Sequence, residues 1–235
     1  MEVIGTLLFS ARAIDNTMLV ALNALASQQA APTQTTMDHI VHLLNYAATY
    51  PDATVRFRAS AMVLWVHSDA SYLSEPPAKS RYGGFFYLSD TPPLTGPKTG
   101  DPQPTLNGPI LAVTHILKEV VASAAEAELG GLYNNSREAA PPRTTVDELG
   151  FPQPPTPIQV NNTTAAGLAN GTIKPCRSKA MTMRYFWIQD RVSLGQFLVY
   201  WDRGVLNLAD YHTKHHPVSH HKAVRPTYLH DPSIP

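Results

Sequence analysis

The sequence predicts an α/β domain, a five-stranded mixed sheet flanked by helices, preceded by a small α-helical appendage. Three observations carry this. Three strand-like runs follow one another between residues 55 and 115 with no helical segment between them, so they pair as antiparallel hairpins. Two later apolar runs alternate with helical segments, which adds parallel strands to the same sheet. The first fifty residues show only helical periodicity.

The elements read as follows. Leu19, Leu22 and Leu25 form part of an apolar stripe on a helix that stops before Pro32. A second helix starts near Thr35, with Asp38 placed to complete a capping box, and carries Met37, Ile40, Val41, Leu44 and Ala48 up to Pro51. Residues 55–66 read as the first strand, running out into His67-Ser68-Asp69-Ala70; 82–90 read as the second. Five prolines and two glycines make 91–107 a loop, and Pro109–His115 is the third strand. Val120–Ala139 has helical composition ended by Pro141-Pro142, with a short helix over Thr144–Leu149. Ile158–Val160 is a short strand entering a helix start at Asn161–Thr164. A longer helix spans 178–194, Gly195 ends it, Gln196–Trp201 is the last strand, and Asn207–Lys214 the last helix. The tail from Pro217 reads as irregular. The resulting division is 1–54 helical, 55–216 the α/β domain, and 217–235 tail.

Composition narrows the class. With 43% hydrophobic and 15% charged residues, 235 residues can build a core, and the chain is not of the disordered type. No run approaches the roughly 18 apolar residues of a spanning helix, and no basic segment followed by an apolar core opens the chain. No membrane partner is therefore expected. The single Cys176 excludes a disulfide framework and suits a reducing, intracellular setting. The formal net charge is zero, yet after residue 170 nine Lys and Arg residues face four Asp. That excess either tracks a phosphate backbone or is a solvated basic surface.

Three carboxylates stand in apolar surroundings on separate elements: Asp69 at the end of the first core strand, Glu128 in the long helix, and Asp210 at the last helix. An unpaired carboxylate there is costly unless a cation or hydrogen bonds compensate. Phosphodiester hydrolysis by two metals needs such a convergence, because hard Mg2+ or Mn2+ takes oxygen ligands and a pair of ions clamps the attacking and leaving oxygens.

The segments HSDASYLSE, SRYGGFFYLS, ASAAEAELGGLY and NLADYHTK occur in an order and spacing that resemble the ribonuclease H domain of copia-type LTR retrotransposon polyproteins, over about residues 62–216. The resemblance implies a ribonuclease H-like fold and hydrolysis of the RNA strand of RNA–DNA hybrid with Mg2+ or Mn2+ as cofactor. It implies Asp69, Glu128 and Asp210 as metal ligands, and sets Asn161 where the family carries a further aspartate. An amide offers a neutral oxygen but no charge to draw in two divalent ions, so slow cleavage, or a catalytically inactive module that only binds hybrid or polymerase subdomains, is the consequence to test. Glu126, two residues from Glu128, points to another side of the helix.

Ser71, Ser123 and Asn162 are candidate contacts to sugar or phosphate, the 2′-hydroxyl being what separates RNA from DNA. Arg177, Lys179 and Arg184 either hold the backbone or form an ordinary helix surface. His212, His215, His216, His220 and His221 match no zinc spacing and read as a flexible tail or a hybrid-facing loop. Tyr185, Phe186 and Trp187 read as helix core. Residues 3–50, through Arg12-Ala13-Ile14-Asp15, Pro32-Thr33 and a helix ending in Leu44-Asn45-Tyr46, resemble the thumb or connection region of the same reverse transcriptases. The paired aspartates of a polymerase palm are absent, so polymerisation is not expected. Partners implied are RNA–DNA hybrid and polymerase subdomains, in the cytoplasm, the nucleus or the virus-like particle of the element.

Overall fold

The computed structural model describes residues 2–174 and 179–230. Its elements are α1 (Glu2–Ala13), α2 (Leu19–Ser27), α3 (Gln34–Thr49), β1 (Val63–Glu75), β2 (Lys79–Ser89), β3 (Pro109–Ile116), α4 (Ala124–Glu148), β4 (Thr156–Val160), α5 (Thr163–Ala169), α6 (Lys179–Ser193), β5 (Phe197–Trp201) and α7 (Val218–Tyr228). They form two compact units, Met1–Phe57 with His215–Pro235, and Arg58–Lys214.

In the first unit, Leu19, Leu22 and Leu25 are buried on α2, with α1 as an additional helix before it. Asp15 sits between α1 and α2. Its Oδ1 accepts from the backbone N of Thr17 at 3.1 Å and its Oδ2 from the Tyr46 hydroxyl at 3.1 Å, so the two motif residues meet. Arg225 Nε donates to the same hydroxyl at 3.0 Å, and its guanidinium lies 4.2 Å from the Tyr50 ring centre. Helix α3 is capped two residues earlier than expected. Thr33 and Thr36 exchange the two capping-box hydrogen bonds, and Asp38 instead accepts from Gln34 Nε2 at 3.0 Å. The expected apolar stripe is not the buried one: Met37, Val41 and Leu44 are exposed, and Thr36 and Leu43 are buried. The tail is not irregular. Residues 218–228 form α7, held by the Arg225 contacts to α3 and by burial of Tyr228 and Leu229.

The second unit is built on one sheet of order β3-β2-β1-β4-β5. Strands β1, β2 and β3 are antiparallel neighbours, β4 runs parallel to β1, and β5 parallel to β4. This is the five-stranded mixed sheet flanked by helices that the sequence predicts. Leu64 and Val66 on β1, Phe86 on β2, Ile158 and Val160 on β4, and Val199 on β5 pack with Leu129 and Leu132 of α4 and Ile188 of α6. Each such side chain contributes roughly 1.5–3 kcal/mol when fully buried. Alternate residues of β1, among them Trp65, His67 and Asp69, are directed to the opposite face.

Several boundaries depart from expectation. Strand β1 begins at Val63 rather than 55, because Met62 adopts a φ of 59° and Arg58 is tied by its backbone N to Asn107 Oδ1 at 2.8 Å. Asp69 therefore lies within a long strand and not at its end. Helix α4 starts at Ala124, where Ser123 caps it, and continues through Pro141 and Pro142 to absorb the separate helix expected at 144–149. The prolines remove two backbone donors; buried Ala139 and Val146 on either side hold the helix together. The last helix is replaced by 3₁₀ turns at Gly204–Leu206 and Asp210–His212. Strand β4 starts at Thr156, whose backbone N donates to Gln196 O at 2.9 Å.

Candidate active site

Asp69 stands directly opposite Gly83 of β2. A Cβ on Gly83 would come within 2.5 Å of Ala209 O and 2.9 Å of His212 Cβ, so the bare glycine is what lets the Asp210 turn lie against the sheet. That turn is hung from β1 by its backbone. Asn207 Nδ2 donates to Ser68 O at 2.9 Å while its Oδ1 accepts from Ala209 N at 3.0 Å, and Leu208 N donates to His67 Nδ1 at 3.0 Å. These bonds occupy donors and acceptors that a regular helix would use, which is why only a 3₁₀ turn forms here. With Nδ1 accepting, His67 carries its proton on Nε2, 3.1 Å from the Tyr87 hydroxyl. Burial pushes the pKa of His67 down to about 3, and it is neutral.

Glu128 comes from the first turns of α4. Ser123 Oγ accepts from Glu126 N at 3.2 Å, and Glu126 reaches back to accept from Ala122 N at 2.7 Å, so Glu126 belongs to the helix cap. One to two turns further on, Asn135 Nδ2 donates to Ser68 Oγ at 2.9 Å and to Gly83 O at 2.8 Å, pinning α4 to β1 and β2. A Cβ on Gly131 would sit 3.2 Å from Tyr82 Cβ, a measure of how closely the helix approaches.

Asp69 is hydrogen-bonded to Glu128 and Asn161 and feels the charge of Asp210, so the four side chains form one cluster. Burial raises the pKa of Asp69 to about 6, the charge of Asp210 adds to this, and Lys214, Glu128 and Asn161 oppose it. Glu128 is held well above the usual carboxylate range, first by burial and then by Asp69. Two ionised carboxylates cannot hydrogen-bond each other, so Asp69 and Glu128 do so only when one is protonated. Asp69 is 3% and Glu128 7% exposed, and Asp69 Oδ1 and Glu128 Oε2 are buried and make no hydrogen bond. Thr213 Oγ1 lies 3.4 Å from the other oxygen, Asp69 Oδ2. Asp210 is partly exposed and its Oδ1 lies 2.6 Å from Lys214 Nζ. Asn161 follows β4, and its carbonyl accepts from Trp201 Nε1 at 3.0 Å. Buried, donor-starved carboxylate oxygens are hard ligands that fit Mg2+ or Mn2+. Among the described residues, no three His, Cys, Asp or Glu side chains form a ready metal cage.

The candidate substrate contacts have structural duties. Ser71 Oγ donates to Thr213 O at 2.7 Å, Ser123 caps α4, and Asn162 Oδ1 caps α5 through Thr164 N at 2.9 Å and Ala165 N at 3.0 Å. Cys176, Arg177 and the side chain of Lys179 lie outside the described residues. Arg184 pairs with Glu119. The histidines do not act as one group: His212 is buried against Phe85 in the sheet unit, and in the other unit His216 and His220 stack with centroids 4.6 Å apart. Tyr185 is buried and Trp187 packs edge-on against Tyr133, as core residues do, whereas Phe186 is exposed. Asn135, Asn207 and Lys214 were not singled out by sequence reasoning. The available signals were an Asn in the buried stretch of a helix and the Gly83-Gly84 pair.

No protein-family model matches the chain, and no curated protein matches it. Solved structures of ribonuclease H domains resemble it. The N-terminal RNase H domain of rv2228c from Mycobacterium tuberculosis is 16% identical, covering 65% of this chain and 91% of that one, with a TM-score of 0.43. LC11-RNase H1, isolated from compost and solved with an RNA/DNA hybrid, is 12% identical over 64% of this chain and 93% of its own, with a TM-score of 0.44. The protease-reverse transcriptase of prototype foamy virus is 12% identical, covers 92% of this chain and 26% of its own length, and has a TM-score of 0.39. Among the described residues no helix is long and apolar enough to cross a membrane.

Proposed function

We propose that this chain is a metal-dependent ribonuclease H that cleaves the RNA strand of RNA–DNA hybrid, the nuclease end of a copia-type retrotransposon reverse transcriptase, weakened by Asn161. One observation carries the reading. Four side chains from β1, α4, the end of β4 and the final 3₁₀ turn form one cluster, and two of its carboxylates are buried, each with an oxygen that makes no hydrogen bond, an arrangement that a bound cation would balance. Asp69, Glu128 and Asp210 would hold Mg2+ or Mn2+, which when bound supplies Lewis-acid stabilisation of the charge developing on the phosphate. The protein's own part is orientation. His67 and Asn207 fix the Asp210 turn, Asn135 fixes the helix bearing Glu128, and the bare Gly83 and Gly84 leave room for the turn and for Asn135 respectively. Residues 3–50 would act as the thumb or connection segment, and the setting would be intracellular, including the particle of the parent element. The second reading, a module that binds hybrid or polymerase subdomains without cutting, is favoured by the neutral amide at 161 and by the Lys214 ammonium on Asp210.

The test is cleavage of end-labelled RNA–DNA hybrid by the full chain, in Mg2+ and in Mn2+, with single-stranded RNA and duplex DNA as controls. Hybrid-specific internal cuts that vanish in Asp69→Asn support the nuclease. Hybrid binding with no cutting in either metal establishes the second reading. Cleavage untouched by Asp69→Asn overturns the site.

A further inference from the structure

A groove runs between α4 and α6 of the second unit, lined by Arg137, Ala140, Pro141, Thr144, Thr145 and Trp187. Two stripes of side chains face each other there. Tyr133, Arg137, Pro141 and Thr145 recur at steps of four on α4 and so share one face of it. On α6, Arg184, Trp187 and Arg191 do the same at steps of three and four. Guanidiniums cover both aromatic rings. Arg137 and Arg184 lie 5.7 and 5.5 Å from the Tyr133 ring centre, and Arg191 lies 5.3 Å from that of Trp187. Trp187 also meets Tyr133 edge-on and Phe197 at a tilt.

The unmet groups in this groove are donors. Trp65 and Trp201 give their indole N–H to Asp90 O and Asn161 O at 2.8 and 3.0 Å, whereas Trp187 Nε1 has no acceptor among the described residues. Arg184 is paired with Glu119, and Arg191 has Asp190 at 3.8 Å; Arg137 has no acidic partner among the described residues. None of the six lining residues is acidic, and Glu138, one residue on, lies off this face of the helix. Between these donors the floor is apolar, made of Ala140, Pro141 and the indole. Donors around an apolar floor call for acceptors carried on an apolar frame. A nucleobase is the poorer fit, because guanidiniums already cover the two rings on which it would stack.

We propose that the α4–α6 groove docks an acidic peptide segment of a partner protein. An apolar side chain of the peptide sits on Ala140, Pro141 and the Trp187 rim, a carboxylate of the peptide is held by Arg137, and one of its carbonyls accepts from Trp187 Nε1. Arg137 stands nine residues along α4 from Glu128, roughly 14 Å at the rise of a helix, so the bound segment leaves the acidic cluster uncovered. Recruitment and hydrolysis thus occupy separate surfaces, and the inference does not depend on the reading of that cluster.

The probe is a fluorescein-labelled pool of short synthetic peptides, each with one leucine, phenylalanine or tryptophan between glutamates. A matched pool with glutamine in place of glutamate, and single-stranded RNA, serve as comparisons. Binding to the full chain is read by fluorescence anisotropy, and the indole N–H signals by NMR, that of Trp187 being assigned by its loss in Trp187→Phe. The acidic pool is expected to bind and to move the Trp187 signal while those of Trp65 and Trp201 stay. Arg137→Glu is expected to weaken binding by about tenfold or more, as is the change to the glutamine pool, since each removes the charge pair. Arg137→Lys is expected to keep most of the binding, and thermal melts establish that each variant is folded. An acidic pool that fails to bind, or that binds Arg137→Glu as tightly as the wild type, overturns the proposal. So does RNA that moves the Trp187 signal where the peptides do not, which makes the groove a nucleic-acid surface.

Discussion

Gly83 lies across the β1–β2 ladder from Asp69, and the Ala209 carbonyl occupies the space where its side chain would be. The glycine is thus the floor on which the last part of the site rests. Gly83→Ala is expected to push the Asp210 turn off the sheet, because backbone and not a flexible side-chain end is in the way. Overpacking of this kind costs about 1–3 kcal/mol. A fall in melting temperature together with loss of hybrid cleavage is the expected pair of results; unchanged cleavage would show that the turn does not need its present seat.

Asp69 ionises at a cost in the fold. Its folded pKa, about 6, is above the unfolded value, so the folded state holds the proton more tightly. The related stability is present below about pH 4 and is lost as pH rises through 6. Asp69→Asn removes this penalty and is expected to raise stability at pH 7–8 by on the order of 2 kcal/mol, with the advantage shrinking below pH 4. Urea denaturation at pH 4 and pH 7.5 measures both arms.

His67 has the opposite sign. Its folded pKa of about 3 is below the unfolded value near 6.5, so its contribution is present above pH 6.5 and is lost as pH falls toward 3. His67→Phe is expected to be less stable at neutral pH by about 1–3 kcal/mol, since Leu208 N then loses its acceptor. It should also show a shallower decline between pH 6.5 and 4. Parallel stability curves for the two proteins over that window would refute the assignment.

Asn161→Asp adds a carboxylate beside Asp69 and Glu128. Without metal, the added repulsion lowers the melting temperature; with Mg2+, the extra ligand gives a larger metal-dependent rise than in the wild type. Hybrid cleavage is expected to increase by about tenfold or more, the scale of one lost charge–metal interaction. Equal metal response in both proteins removes Asn161 from the site.

Much of this was legible because the sheet is encoded locally. Uninterrupted β-runs without helical spacers between 63 and 116 can only form hairpins, and Asp69, Glu128 and Asp210 are each odd residues in apolar context. What was not legible depends on contacts between distant segments. Residues 55–62 have strand composition, yet Asn107 captures Arg58 and Met62 turns the chain. Pro141-Pro142 is a strong local stop that tertiary burial of Ala139 and Val146 overrides. The segment 207–214 has helical spacing, but Asn207 and His67 claim its backbone first. The Lys214–Asp210 pair could be read as i,i+4 from the sequence; its bearing on Asp69 could not.

The bonds from Asn207 to Ser68 and from Leu208 to His67 join positions 139 and 141 residues apart. Closing loops of that size is a late event in folding, because the chain entropy must be surrendered before the contact rewards it. The sheet can consequently assemble while the pocket still lacks Asp210. During synthesis, the acidic centre becomes complete only after nearly the entire second unit has been made, and a nascent chain ending before residue 207 carries the scaffold without the chemistry.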